Sequence, residues 1–222
     1  MLITVGLTMI WMFYIEPKTY FYAYFDTRPY NIWWFLGSVL AYMFWFDTWF
    51  FWSHRWLHDF DILWNKVHYI HHQFKEPSCF AQFSVHPVEA ALQGPVGHYM
   101  ATLFFPFHPV ALAVFGFLSS AWAIAAHDGR AGDFNSHYYH HSKGRGRHIY
   151  FNLGFLTPFW DWYCGTRWHE DHPQWVQWKE RRGKVVFDTR DGTKEGQPND
   201  AYGAYNFSLT AVGSQEGEKK SN

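Results

Sequence analysis

Cysteine and net charge are both scarce in this sequence. Its 222 residues include only two cysteines, Cys79 and Cys164, and the formal net charge is -1. Two widely separated cysteines provide neither a disulfide framework nor the repeated spacing of a cysteine metal site. A charge close to zero argues against nucleic acid as the main partner, because nucleic-acid-binding domains present a strongly basic surface. The chain has no internal repeat and no glycine-rich fingerprint for a flavin or nicotinamide nucleotide.

Aromatic residues, by contrast, make up 23% of the chain and concentrate in and around four apolar runs. The runs cover residues 2–15, 32–52, 88–107 and 109–126. A straight membrane span needs about 20 apolar residues, so the first run is a short span, a re-entrant piece or a truncated one. It lacks the basic start and the small-residue cleavage site of a signal peptide. Tryptophan and tyrosine near the run ends favour an integral membrane protein over the alternative, a soluble protein with a buried helical core.

Histidine occurs 15 times, and eight of these residues fall into three tight clusters. The clusters are His54-x3-His58, His68-x2-His71-His72 and His137-x2-His140-His141. Residues three and four apart share one face of a helix, so each cluster presents two or three imidazoles in one direction. Neutral imidazole binds iron, copper and zinc, and eight ligands are too many for one tetrahedral ion. The spacing therefore predicts two metal ions; the alternative is a set of surface or core histidines, each with one hydrogen bond.

The order of runs and clusters predicts that all three clusters lie on one side of the membrane. The first two clusters follow the second run, and the third follows the hairpin of the third and fourth runs, which returns the chain to the same side. Basic residues accumulate on that side, whereas the opposite loop has only Lys18 and Arg28. By the positive-inside tendency, the cluster side is cytosolic. We expect an all-α integral membrane protein with about four membrane-embedded helices and a cytosolic, histidine-rich helical cap.

The last part of the chain differs in character. We predict a membrane-embedded domain over residues 1–175 and a hydrophilic, disordered cytosolic tail over residues 176–222, because the sequence from about Arg190 is polar and lacks apolar periodicity. The tail ends in Lys219-Lys220-Ser221-Asn222. This lysine pair resembles the cytosolic signal that returns membrane proteins to the endoplasmic reticulum; a solvated charge pair is the alternative. We therefore expect a multi-pass protein of the endoplasmic reticulum membrane, with its metal site and tail in the cytosol.

The three clusters, in this order and interleaved with membrane helices, resemble the fatty acid hydroxylase/sterol desaturase superfamily. The resemblance covers roughly residues 47–166, over half of the chain, and its combined motifs are highly specific. Further similar segments are His86-Pro87-Val88-Glu89, the step Ala126-His127-Asp128-Gly129 of the sterol C-5 desaturases, and a closing segment with Asn152-Leu153-Gly154, Trp160-Asp161 and Gly165-Thr166. Residues 142–147 look like an insertion, placed against anionic headgroups or forming a solvated turn. The sequence before residue 32 is shorter than is usual in the family.

The resemblance implies a di-metal centre of two iron ions that activates O2 as co-substrate and oxidises a C–H bond of a lipid or sterol from the bilayer. Aromatic and apolar walls would keep water away from the oxidant. Because the chain lacks a nucleotide fingerprint, electrons must come from outside. The resemblance implies cytochrome b5 and its NADH-dependent reductase as the donors.

The predicted metal ligands are the eight clustered histidines together with His127 and His86. His86 precedes a proline, so it could equally begin a helix or support another ligand. Three carboxylates are predicted to orient ligand imidazoles: Asp47, Asp128 and Asp161. Asp47 lies about two turns before His54 and therefore on the same helix face. The alternatives are an intramembrane acid paired elsewhere for Asp47, and a helix cap or a surface acid for the other two.

Three functions compete at this point. The favoured one is a sterol desaturase of sterol biosynthesis, because His127-Asp128-Gly129 resembles the C-5 desaturases. A fatty-acyl, sphingoid or methyl-sterol hydroxylase of the same superfamily is the second, since hydroxylation and desaturation share the first hydrogen abstraction. A non-enzymatic, histidine-rich membrane metal-binding protein is the third. A transporter of that kind needs polar residues along a path across the membrane, and the apolar runs carry almost none.

Overall fold

A computed structural model describes residues 2–15, 32–104, 108–129 and 137–184 of the chain. These residues form helices of the α, π and 3-10 types, and they include no β-strand. The prediction of an all-α fold is confirmed for this part of the chain. The α-helices are α1 (Leu2–Ile10), α2 (Ile32–Asp59), α3 (Asp61–Lys66), α4 (Pro87–Ala91), α5 (Gly97–Met100), α6 (Pro109–His127), α7 (His137–Lys143), α8 (Phe159–Tyr163) and α9 (Pro173–Lys184). Shorter 3-10 segments cover His68–Gln73, Cys79–Phe83 and Ala101–Leu103, and π-helical turns cover Trp11–Ile15 and Leu92–Val96.

The chain divides into two compact units, Met1–Trp168 and His169–Asn222. The first unit contains α1 to α8. In the second, the described part is α9, and this helix crosses residue 175, so the boundary predicted there stays a prediction. The terminal lysine pair, the loop with Lys18 and Arg28, and Arg130 lie outside the described residues.

Helix α2 is the long element of the first unit, with 28 residues or roughly 42 Å. Its buried positions Ser38, Tyr42 and Phe46 recur at four-residue spacing, and the same helix later buries His54 and His58. Other side chains of its first half are strongly exposed, with Trp33 at 78%. The helix therefore packs along one side and delivers two histidines at its C-terminal end.

Helix α6 is the one helix in the described ranges that is long and apolar enough to cross a membrane. It begins at Pro109, where the His108 ring accepts a hydrogen bond from the Val110 backbone N–H at 3.2 Å. It ends at His127, and Gly129 follows with φ 73°, a left-handed conformation that glycine adopts without steric cost. The ring of Phe117, near the middle of α6, is 74% exposed.

The third apolar run is interrupted rather than forming one continuous helix. Pro95 lies inside the π-helical turn between α4 and α5. Because proline has no backbone N–H to donate, it cannot continue the α-helical hydrogen bonds at this point. Two tryptophans of α2 donate indole N–H hydrogen bonds to backbone carbonyl oxygens of this irregular segment. Trp45 donates to Gly97 at 3.1 Å, and Trp49 donates to Leu92 at 2.8 Å. Gly97 has no side chain at the point of contact, which lets α5 approach α2 closely. The segment after Glu89 is therefore held against α2.

Arg147, at the end of the segment 142–147 that is predicted to be an insertion, packs against the end of α2. Arg147 donates hydrogen bonds to the backbone oxygens of His58 and Asp59 and forms an ion pair with Asp61. The Tyr150 hydroxyl donates to the Asp59 carboxylate at 2.8 Å. These contacts join the segment after the third cluster to the first cluster.

Candidate metal centre

Nine histidines converge into two buried groups. One group has five members, His54, His58, His68, His72 and His140, and the other has four, His71, His127, His137 and His141. Within each group the candidate ligand nitrogens lie within 4.8 Å of one another. Every one of the nine residues is at most 8% exposed. Each group has enough nitrogens for one ion, so the arrangement fits two metal ions.

The three sequence clusters are divided between the two groups by a simple rule. Residues four apart share a group: His54 with His58, His68 with His72, and His137 with His141. The remaining members, His71 and His140, each join the other group. Interdigitation of this kind places the two groups side by side, and the His137 and His140 rings are stacked with centroids 4.8 Å apart.

Different elements carry the nine side chains. The first cluster lies at the end of α2, the third forms most of α7, and His127 is the last residue of α6. The second cluster lies on a 3-10 segment, His68–Gln73, and not on the α-helical face that the spacing favoured. The structure therefore brings together His127 and all eight clustered histidines, whose role as ligands stays a prediction.

The Nδ1 atoms of five of these histidines contact backbone carbonyl oxygens. The contacts are His54 to Leu153 at 3.1 Å, His71 to Ser84 at 3.3 Å, His127 to Ala123 at 2.7 Å, His140 to Phe151 at 2.7 Å and His141 to Phe74 at 3.1 Å. A carbonyl only accepts, so each Nδ1 carries the proton and each Nε2 presents a lone pair.

The Nε2 atoms of each group face one another at short distances. In the first group, neighbouring pairs are 2.9 to 3.2 Å apart, for example His72 to His68 at 2.9 Å and His58 to His140 at 3.2 Å. In the second, His71 lies 3.0 Å from His141 and 3.1 Å from His127. Lone pairs that converge without protons between them repel each other, and a cation between them removes the repulsion. This arrangement is the structural observation that fits bound metal.

Burial keeps the imidazoles in the form that binds metal. Burial lowers the pKa of both His68 and His71 from the usual 6.5 to about 3. The pKa values of His72, His137, His140 and His141 are also far below 6.5, first because of burial and second because of neighbouring imidazoles. All six side chains are therefore neutral at physiological pH, as metal ligands must be.

Glu89 contacts the histidine groups, and the sequence reasoning did not include it among the candidate site residues. Its carboxylate Oε1 lies 2.8 Å from His68 Nδ1, and its side chain is 2% exposed. A carboxylate that accepts from the outer nitrogen of a ligand histidine fixes the ring orientation and increases its basicity. The sequence contained one signal for Glu89, which is its position as a charged residue near the start of an apolar run. Burying a charge in such a run is costly, so a charged residue there usually has a function.

Asp47 and Asp161 hold the backbone that supports the ligands. Asp161 accepts hydrogen bonds from the backbone N–H groups of Leu153 and Gly154 and from the Thr166 hydroxyl. Asp47 accepts from Leu156 N–H at 2.7 Å and from the Thr157 hydroxyl at 2.6 Å. Leu153, whose N–H donates to Asp161, also supplies the carbonyl that His54 Nδ1 contacts; the action of Asp47 and Asp161 on a ligand imidazole stays a prediction.

His86 and Asp128 lie outside the two histidine groups. The His86 ring accepts from Val88 N–H at 3.2 Å and caps α4, whose first residue is Pro87. This geometry fits the helix-start alternative for His86, and its ligation stays a prediction. Asp128 is half-buried just after α6, and its proposed action on a ligand imidazole also stays a prediction.

A cavity of about 520 Å³ adjoins the second histidine group. His71, His127 and His137 line it, together with apolar rings that include Phe46, Phe50, Phe83 and Phe155. Its volume lies within the usual range for sites that enclose a small organic ligand. A molecule in this cavity would therefore contact three imidazoles of the four-histidine group.

Comparison with known proteins identifies the same part of the chain. The sequence model of the fatty acid hydroxylase family matches residues 39–166. Lathosterol oxidase of Homo sapiens is 28% identical over 127 residues, which are 56% of this chain and 42% of that enzyme. The Delta(7)-sterol 5(6)-desaturase of Schizosaccharomyces pombe is 29% identical over 150 residues, 67% of this chain and 49% of that enzyme.

A third relative, the Delta(7)-sterol-C5(6)-desaturase of Nicotiana tabacum, is 31% identical over 125 residues, 52% of this chain and 44% of that enzyme. The matched regions thus span about half the length of these curated relatives, or less. No solved structure gives a significant match. Because the family match includes every residue of both histidine groups and more than half of the chain, the protein belongs to the fatty acid hydroxylase family.

Proposed function

We propose that the protein is a membrane-bound, O2-dependent di-iron oxidoreductase that acts on a C–H bond of a lipid. Its substrate is a sterol, and the reaction is desaturation between ring carbons 5 and 6. The observation that carries the proposal is the pair of converging histidine groups beside an apolar cavity. The names of the relatives, lathosterol oxidase and Delta(7)-sterol 5(6)-desaturase, support the substrate and the ring position.

The residues fit two iron ions. Five imidazoles would hold one ion, and the four of the second group would hold the other, with fewer protein ligands on the cavity side. Bound there, iron would supply the O2-activating chemistry that oxidation of an unactivated C–H bond needs. The protein's own residues orient the imidazoles through Nδ1, and the phenylalanine rings of the cavity exclude water from the reacting centre.

A membrane location is part of the proposal. Large apolar side chains of α2 and α6 are exposed on the surface, among them Leu40, Phe44 and Val114 as well as Trp33 and Phe117. Such a surface fits lipid contact better than water. We propose about four membrane-embedded helices in the endoplasmic reticulum, with the histidine-rich cap and the tail in the cytosol.

If the terminal lysine pair is the retention signal, replacing Lys219 and Lys220 by alanine releases the protein to later compartments. An unchanged location of this variant would contradict that signal.

Cytochrome b5 and its NADH-dependent reductase are the proposed electron donors. The sequence has no nucleotide-binding fingerprint of its own, so reducing equivalents must be delivered by a partner. In a reconstituted assay with NADH, omission of cytochrome b5 should abolish turnover. Full turnover without it would exclude this donor.

The test of the proposed function is replacement of His140, a buried member of the first group, by alanine. We expect loss of metal and of lipid oxidation while the protein still inserts into membranes. The matched control is His148→Ala, because His148 is exposed and lies outside both groups. Sterol profiling of cells should show accumulation of the substrate sterol in His140→Ala and not in the control. Retained activity in His140→Ala would contradict the site.

A hydroxylase is the second candidate function, because the matching family model is named for fatty acid hydroxylases. Mass spectrometry of the product separates the two reactions, since desaturation removes two hydrogens and hydroxylation adds one oxygen. A product with an added oxygen on an acyl or methyl group would replace the desaturase by the hydroxylase. Bound metal without oxidation of any lipid would instead favour the non-enzymatic metal-binding protein.

A further inference from the structure

Two polar atoms on residues that line the cavity have no hydrogen-bond partner among the described residues. They are Nε2 of Gln93 and Oε2 of Glu89, and both atoms are buried. Buried polar groups are nearly always hydrogen-bonded, because an unsatisfied one destabilises the fold. A pair of unsatisfied atoms at one cavity therefore requires an explanation.

The two residues line the same cavity, and one of them, Glu89, contacts the metal centre. Glu89 is in α4 and Gln93 is four residues later, so the two side chains leave neighbouring positions one helical turn apart. The other carboxylate oxygen of Glu89 contacts His68, a member of the five-histidine group. Glu89 is thus separated from the proposed metal by one imidazole ring, that of His68.

Two further polar side chains that line the cavity, His98 and Ser119, already have hydrogen-bond partners. The Tyr42 hydroxyl lies 2.5 Å from His98 Nδ1, and His98 Nε2 lies 3.3 Å from the Ser119 hydroxyl. Ser119 in turn donates to the Gly116 carbonyl at 3.0 Å. This chain of hydrogen bonds connects α2, α5 and α6 and satisfies its own members. Gln82 also lines the cavity, but among the described residues the buried polar atoms that line it without a partner belong to Glu89 and Gln93, so these two residues are the favoured contact for a polar group of a ligand.

The two free atoms have complementary chemistry. Gln93 Nε2 is a donor, and an ionised Glu89 Oε2 is an acceptor. An alcohol hydroxyl is a small group that meets both needs, since it donates one hydrogen bond and accepts others. We infer that Gln93 and Glu89 bind the hydroxyl group of the substrate and so select a hydroxylated lipid, a sterol, over its deoxy counterpart.

The inference rests on the proposed sterol oxidation and makes it more specific. A sterol carries its hydroxyl on ring carbon 3, and a single ring carbon separates that position from carbon 5. A hydroxyl held at Glu89 and Gln93 therefore keeps carbons 5 and 6 near that end of the cavity, whose wall also includes His71, His127 and His137. The apolar remainder of the sterol extends along the phenylalanine rings, where it needs no polar partner. Gln93 thus acts as a positioning and specificity residue.

The test compares binding of two ligands to two proteins. The ligands are a Δ7-sterol and its 3-deoxy analogue, and the proteins are the iron-loaded full chain and its Gln93→Met variant, in which the side chain keeps its length and loses the donor. Competition against a radiolabelled Δ7-sterol in detergent micelles gives each Kd. The control Gln177→Met makes the same chemical change at an exposed position of α9.

For the unmodified chain and for Gln177→Met, we expect the sterol to bind about 10- to 100-fold more tightly than the deoxy analogue. In Gln93→Met this ratio should fall by about 10-fold, mainly through weaker binding of the sterol, with unchanged iron content. A ratio near one in the unmodified chain overturns the inference without any variant. So does a variant that weakens both ligands equally, which would indicate a purely structural role.

Turnover is measured separately, so that the inference and the proposed function fail in different ways. Selective sterol binding without oxidation of any lipid would contradict the proposed activity and keep hydroxyl recognition. Sterol oxidation with equal binding of both ligands would do the reverse. A ceramide, which also carries hydroxyl groups, serves as a competitor. Displacement of the sterol by ceramide at lower concentration than by unlabelled sterol would overturn the choice of a sterol.

Discussion

Replacing Glu89 by alanine tests whether a buried carboxylate orients a metal-ligand histidine. The 2.8 Å contact from Glu89 Oε1 to His68 Nδ1 is a hydrogen bond inside the protein, with the Glu89 side chain 2% exposed. Such partners of metal-bound histidine change metal affinity or activity by about 10- to 100-fold, equivalent to about 1.4–2.8 kcal/mol. We therefore expect Glu89→Ala to weaken binding at the five-histidine group by that factor. Glu89→Gln keeps an oxygen acceptor and the side-chain shape, so its loss should be smaller.

The assay is competition of the purified protein against a chelator of known affinity, with iron measured in each fraction. Glu76→Ala is the control, because Glu76 is exposed. A double-mutant cycle with His68→Ala isolates the contact, since the effect of Glu89→Ala should nearly vanish once His68 is absent. Unchanged affinity in Glu89→Ala, or an equal loss in both backgrounds, would refute the reasoning.

The remaining predictions concern packing, the supporting loop and pH. Gly97→Ala should destabilise the protein by about 1–3 kcal/mol, because the new Cβ would lie 2.7 Å from Trp49 Cδ1. The control Gly116→Ala has open space around the new Cβ and should not lower the melting temperature, so equal melting temperatures of the two variants would contradict the close packing of α5 on α2. Asp161→Ala removes the carboxylate that Leu153 N–H, Gly154 N–H and the Thr166 hydroxyl bind, and each buried group left unpaired costs about 1–3 kcal/mol. Both the melting temperature and the iron affinity should therefore fall relative to the control Asp171→Ala, in which the replaced residue is exposed. Chelator-treated protein should lose stability as pH falls from 6.5 towards 3, because the unfolded chain binds protons at histidine in this window while His68 and His71, with folded pKa values of about 3, stay neutral. A melting temperature that does not change between pH 7.5 and pH 5 would count against buried neutral imidazoles.

The sequence was most informative where the chemistry repeats at short spacing. The intervals within the histidine clusters predict that the side chains face one way, and residues four apart do share a group in the structure. The spacing did not show that His71 and His140 cross to the opposite groups. That exchange depends on the 3-10 geometry of the second cluster and on the tertiary placement of α7 against the end of α2, neither of which a local pattern contains.

Supporting residues were harder to predict because their role depends on long-range contacts. Asp47 was expected to face His54 along the same helix, yet its hydrogen bonds go to Leu156 and Thr157, more than 100 residues away in sequence. Glu89 contacts His68, 21 residues away, and its position near the start of an apolar run indicates a buried role without indicating which residue it contacts. The interruption at Pro95 was not predicted, because residues 88–107 form one apolar run in the sequence, although a proline without a backbone N–H is a local signal against a continuous helix.

The central claim is that two histidine groups hold two ions, and elemental analysis of the purified protein tests it most directly. Inductively coupled plasma mass spectrometry of the detergent-purified chain should give two irons per chain, with His140→Ala depleted and the exposed variant His148→Ala unchanged. A well-folded preparation that binds no metal after reconstitution with iron, or that retains two irons in His140→Ala, would contradict the account.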